Sequence, residues 1–289
     1  MASLSSLPPV GPSSQADYAR TYLDLVSKTQ HMPHVSEWPP KSIGNDPGVV
    51  SNIQMQWQKS GELAPYQASA RCFTQEFKQH TLPAVPPKEH HVVVVGLAAG
   101  TSQHQWALSQ VLPKFTYIGI DNYPTAIGIA KDIYAERPKS ANHRFNFIEA
   151  DGRTLQPAKK QKQADKHPTA TTMPYADILL LCHQEARPGR GLEFGENMKN
   201  WAELVRAGAG ICHNESVIMV TSYTRREGEF FDLMMKEVVS DVPWTRIHHA
   251  PAAEAVPANK LFPKQGYDDD HFHHGFITVY KQTASYKAA

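Results

Sequence analysis

The sequence predicts an α/β protein: a doubly wound, mostly parallel seven-stranded sheet preceded by a helical appendage. Three observations carry that prediction. Four valines, Val92 to Val95, run into the small-residue stretch Gly96-Leu97-Ala98-Ala99-Gly100 and then into a helix-like pattern, as a buried parallel strand does when it enters a ligand-binding loop. From His91 onward apolar strands alternate with amphipathic helices, the rhythm of a sheet covered on both faces. A hydrophobic content of 41% in 289 residues is ample for one large domain, or for a domain with a smaller unit attached.

Residues 1–13, rich in Ser, Pro and Gly, are expected to be disordered. Residues 14–89 read as the appendage. "SQADYARTYLDLVSKTQ" places Tyr18, Tyr22, Leu23 and Val26 on one side at helical spacing, behind Ser13 or Ser14 as N-cap. A proline-rich loop follows, then the helix-like "VVSNIQMQWQKSGELA" and "YQASARCFTQEFKQHTL", and "PAVPPKEHH" breaks the pattern. Trp57, Tyr66, Phe73 and Phe77 are expected mostly to pack these helices onto the sheet, with an aromatic wall around a substrate as the alternative.

Residues 90–282 form the α/β domain. Its strands are "HVVVVGL", "TYIGID", "RFNFIEAD", "YADILLLCH" and "SVIMVTSY", then "WTRIHHA" and "FHHGFITVYKQ" as closing strands. The helices are "TSQHQWALSQVL", "YPTAIGIAKDIYAERP" with Ile127, Ala130, Ile133 and Tyr134 as its apolar stripe, "GENMKNWAELVRAGAG" and "GEFFDLMMKEVV". The lysine-rich stretch between Thr154 and Pro174 reads as a solvated connection, and residues 283–289 as a C-terminal tail.

Lys+Arg 29 against Asp+Glu 28 gives a net charge of +1, so no global field draws nucleic acid or an anionic membrane. Cys72, Cys182 and Cys212 are odd in number and widely separated, which suits a reducing compartment better than a disulfide scaffold. The N-terminal stretch lacks the charged start and apolar core of a signal peptide, and no apolar run reaches membrane-spanning length. A cytoplasmic protein without a membrane partner is the expectation; the oligomeric state is not legible.

The order of elements and three strand ends resemble the class I, Rossmann-like S-adenosylmethionine-dependent methyltransferases, over roughly residues 90–282. The resemblance implies S-adenosylmethionine as cofactor and S-adenosylhomocysteine as product. It places Gly96, Leu97, Ala98 and Gly100 around the methionine part, where backbone must approach the ligand and a helix N-terminus must face a carboxylate. It assigns Asp121, followed by Asn122, to the ribose hydroxyls, Asp151 with Gly152 to the adenine, and Cys182 to the cofactor-facing end of the fourth strand. A nicotinamide enzyme would also use a small-residue loop and Asp121, but the third glycine of its fingerprint is missing and Asp151-Gly152 has no standard duty there. The chain departs from the family in lacking an acid before the loop, where it reads "HHVVVV".

Chemistry is expected at the end of the fourth strand, which continues Cys182-His183-Gln184-Glu185. The motifs of adenine-type nitrogen methylation, ribose methylation and metal-dependent catechol methylation are absent there. His183 is placed to act as general base and Glu185 to orient it or a cationic substrate, while a polar strand end bonding its own loop accounts for both equally well. The expected acceptor is a small molecule or a protein side chain. RNA or its cap, and a catalytically inactive scaffold of the same fold, are the alternatives; salt-sensitive RNA binding would support the former. His271 and His273 are explained by a charged strand edge, so no metal is expected.

Overall fold

The computed structural model describes residues 71–85, 91–99, 108–122, 124–135, 140–157, 171–182, 194–222, 239–257, 272–273 and 275–286, together with 225, 228, 231–232 and 235–236. The first thirteen residues, most of the appendage, Trp57 and Tyr66 lie outside them.

The described chain begins as a helix over 71–76 that widens into a π-helical turn, Phe77–Thr81. A 3-10 turn, Leu82–Ala84, ends it where Pro83 removes a backbone donor. Phe73 and Phe77 are fully buried with ring centroids 5.9 Å apart, so both pack into the core; burial of each contributes about 2–3 kcal/mol.

The strands and helices then follow in order: β1 (Val92–Leu97), β2 (Phe115–Asp121), α1 (Pro124–Ala135), β3 (His143–Glu149), β4 (Leu155–Pro157), β5 (Thr171–Met173), β6 (Ala176–Cys182), α2 (Phe194–Gly210), β7 (Cys212–Ser222), β8 (Trp244–Pro251), β9 (Val256–Pro257), β10 (Phe272–His273) and β11 (Phe276–Gln282). Seven of these strands make one sheet in the order β3-β2-β1-β6-β7-β11-β8. Neighbours are parallel except that β11 runs antiparallel to both β7 and β8, which agrees with the mostly parallel, doubly wound sheet the sequence predicts.

The sheet is buried on both faces because its side chains alternate between two cores. In β6, Ile178 and Leu180 point to the face covered by Phe73, Phe77 and Ile127. Leu179 and Leu181 point to the other, packed by Trp201 and Val205 of α2. The described positions of the segment after β7 are helical, and Phe231 there meets Trp201 edge-on at 4.4 Å.

Three sequence expectations are corrected. The connection after Thr154 is not wholly solvated: β4 and β5 pair in parallel across it, because Leu155 and Met173 have core to bury. The fifth main strand starts at Cys212 rather than Ser216, extended through an irregularity where Glu215 takes φ 79° and the register against β6 shifts. The last predicted strand is two: β10 pairs with β9, and β11 begins beyond Gly275. Among the described residues, no helix is long and apolar enough to cross a membrane.

Candidate functional site

The chain passes from β1 to β2 and β3 on one side of the sheet and then crosses to β6 on the other. A crevice opens outside the carboxyl ends of strands at such a reversal, the usual place for a ligand in a doubly wound sheet. The described members of the predicted cofactor set fall at or just beyond the ends of four strands, β1, β2, β3 and β6.

At the end of β1, Leu97 is buried while Ala98 is exposed and takes φ 45°, a left-handed conformation costing an alanine roughly 1 kcal/mol. Ala99 N–H then donates to the Ile120 carbonyl at 2.9 Å, so the chain folds over the end of β2. Gly100 lies outside the described residues. Gly96 has its own reason to be glycine: a Cβ there would stand 2.5 Å from the hydroxyl of buried Tyr117.

Asp121 ends β2 half-buried, in register with Glu149 at the end of β3, and Asn122 beyond it is exposed. Two carboxylates thus stand on neighbouring strand ends. The Asp121 carbonyl accepts the Ala150 N–H at 3.0 Å, which ties the two strand ends together.

Asp151 caps a 3-10 turn, Gly152–Thr154, by accepting the Arg153 N–H at 2.9 Å. Arg153 Nε also lies 2.9 Å from each carboxylate oxygen, and this side-chain hydrogen bond holds the Asp151 carboxyl below the usual aspartate range. The acid assigned to adenine is therefore already ion-paired. Gly152 is buried, and a Cβ on it would meet Leu204 Cδ1 at 2.5 Å, so helix α2 packs directly on this turn.

Cys182 ends β6 partly exposed and in register with Thr221. Burial pushes its thiol up to about 12, so at neutral pH it is an uncharged wall rather than a nucleophile. His183, Gln184 and Glu185 lie outside the described residues.

Sequence reasoning missed a polar cluster at the opposite, amino-terminal edge. Buried Asp177 accepts the Val93 N–H at 2.8 Å through Oδ2 and pairs with His213 Nε2 at 2.7 Å through Oδ1. Ser216 completes a Ser, His and Asp composition, yet its hydroxyl donates to the Ala176 carbonyl at 2.7 Å and accepts the His213 N–H at 2.8 Å. With the hydroxyl on backbone rather than on the imidazole, the arrangement is a clasp for the strand irregularity, not an activated nucleophile. A lone Asp inside an apolar strand was its only signal.

No protein-family model matches the chain, and no curated protein matches it. Among solved structures the chain is similar to the plantazolicin methyltransferase BpumL in complex with SAH, at 14% identity and TM-score 0.47 over 93% of this chain and 99% of that one. A SAM-dependent methyltransferase of the DUF858 family from Leishmania major is similar at 10% identity and TM-score 0.48, over 81% of this chain and 82% of that one. A S-adenosylmethionine-dependent methyltransferase from Clostridium acetobutylicum is similar at 7% identity and TM-score 0.47, over 82% and 99%.

Proposed function

We propose that the chain is an S-adenosylmethionine-dependent methyltransferase acting on a small-molecule or protein side-chain acceptor. The observation that carries this is the gathering of Ala98, Asp121, Asp151 and Cys182 on the carboxyl ends of β1, β2, β3 and β6, around the reversal of strand order. Their chemistry fits the cofactor: Ala98 is exposed in a left-handed turn, Asp121 is a carboxylate able to accept from paired hydroxyls, and Asp151 stands at the next strand end with its carboxylate fixed in place by Arg153.

When bound, S-adenosylmethionine supplies an electrophilic methyl group. The chain's part is to bind and orient. Asp121 would hold the ribose, the Gly96–Ala98 backbone the methionine portion, Asp151 and Gly152 the adenine edge, and Cys182 would present an apolar, uncharged surface nearby. His183, which follows Cys182 directly, would take the acceptor's proton, with Glu185 orienting it. A nucleophile held in line needs little more than that proximity.

Calorimetry with S-adenosylmethionine and S-adenosylhomocysteine tests the proposal. Micromolar binding of both by wild type, abolished in Asp121→Ala, is the expected result. Well-folded protein that binds neither overturns it, and an Asp121→Ala variant binding as well as wild type overturns the site.

A further inference from the structure

We propose that Glu76, His80 and His248 form a binding site for one divalent transition-metal ion of the zinc class. Their ligand atoms lie within 4.8 Å of one another. Glu76 and His80 stand four residues apart on the 71–81 helical segment, so they share a face, and His248 comes from the edge strand β8.

Two of the three side chains are in a state that a cation would resolve. Glu76 is 2% exposed; its Oε1 accepts the Ala253 N–H at 2.8 Å, and its Oε2 lies 3.6 Å from His80 Nε2. A carboxylate withdrawn from water is costly without a counter-charge. His248 Nε2 is buried with no hydrogen-bond partner among the described residues, an unsatisfied polar atom of the kind a ligand often explains.

The donor set selects the metal. Two imidazole nitrogens and one carboxylate oxygen suit zinc and its transition-metal neighbours, whereas magnesium and calcium prefer oxygen throughout. Three protein ligands leave a tetrahedral position for solvent. His80 and His248 stack with centroids 3.6 Å apart and planes 13° from parallel. An ion bound to both must lie near both ring planes, so His80, whose side chain is 29% exposed, turns out of the stack on binding. The metal then pins the helical segment to β8 and to the turn at Ala253.

The test strips the protein with a chelator, loads it with zinc alone or cobalt(II) alone, removes unbound metal by gel filtration, and reads metal content and cobalt absorption. Wild type and His273→Ala are expected to retain a single ion and to show the same cobalt bands. Glu76→Gln and His80→Ala should lose both while keeping the wild-type circular dichroism. If Glu76→Gln fails to fold, the partly exposed His80→Ala decides alone. Wild type without bound metal, metal retained by His80→Ala, or metal lost in His273→Ala each overturns the site, the last by moving it to the histidine-rich segment before β11.

Discussion

Asp151 holds Arg153, two residues further on, through both carboxylate oxygens, and the same carboxylate accepts the Arg153 backbone N–H. One side chain thus caps a turn and forms an ion pair at the edge where the fold collects its strand ends.

Replacing Arg153 by Ala is expected to lower stability by no more than about 1 kcal/mol, because the pair is partly solvated. The pairing depresses the Asp151 carboxyl, so the unfolded chain takes up the proton first as pH falls. The contribution is whole above about pH 4 and fades below it. Urea unfolding of wild type and Arg153→Ala at neutral pH and near pH 3 should show the gap narrowing on acidification; a widening gap contradicts the assignment.

Gly96→Ala should be the costlier of two glycine substitutions. Its Cβ would meet the hydroxyl at 2.5 Å and Cζ at 3.2 Å of a rigid, 2% exposed Tyr117 ring, whereas Gly152→Ala meets the free end of Leu204, which can rotate. About 1–3 kcal/mol is expected for Gly96→Ala and less for Gly152→Ala. Adding Tyr117→Phe should recover part of the Gly96→Ala loss in a double-mutant cycle, and strict additivity would rule the clash out.

Asp177→Ala should cost about 2 kcal/mol, since it removes the acceptor of the part-buried Val93 N–H and the partner of His213 Nε2 together. Asp177→Asn keeps an oxygen for Val93 and should cost clearly less. Equal losses in denaturant titrations would mean that the charge, not the backbone acceptor, matters at this edge.

Cys72 and Cys212 are fully buried, and burial lifts both thiols to about 12. A thiol-disulfide reagent at pH 8 therefore meets roughly one thiolate in 10⁴ at each. Both should label only as fast as the chain opens and within seconds in denaturant; prompt labelling of either in native protein would refute its burial.

The strand ends were readable because β-branched and apolar runs stop abruptly at small or acidic residues: Val92–Leu97, Phe115–Asp121 and Ala176–Cys182 agree with the sequence reading almost to the residue. What escaped depends on distant partners. Asp177 looks like a flaw in an apolar strand until Val93 and His213 are seen beside it. Glu76 and His80 carry no signal without His248, which the sheet order brings to them from far along the chain. The β7 extension was hidden because His213 to Glu215 are polar, and the irregularity they form is held by Ser216 rather than by an apolar face.

The reversed strand β11 lies between β7 and β8 although it follows both in sequence. During synthesis, β7 therefore has a bare flank and β8 no neighbour in the main sheet until Phe276–Gln282 has emerged from the ribosome. That interval leaves strand edges open to other nascent chains, so the arrival of β11 shortens the time in which the newborn sheet can pair edge to edge with a neighbour.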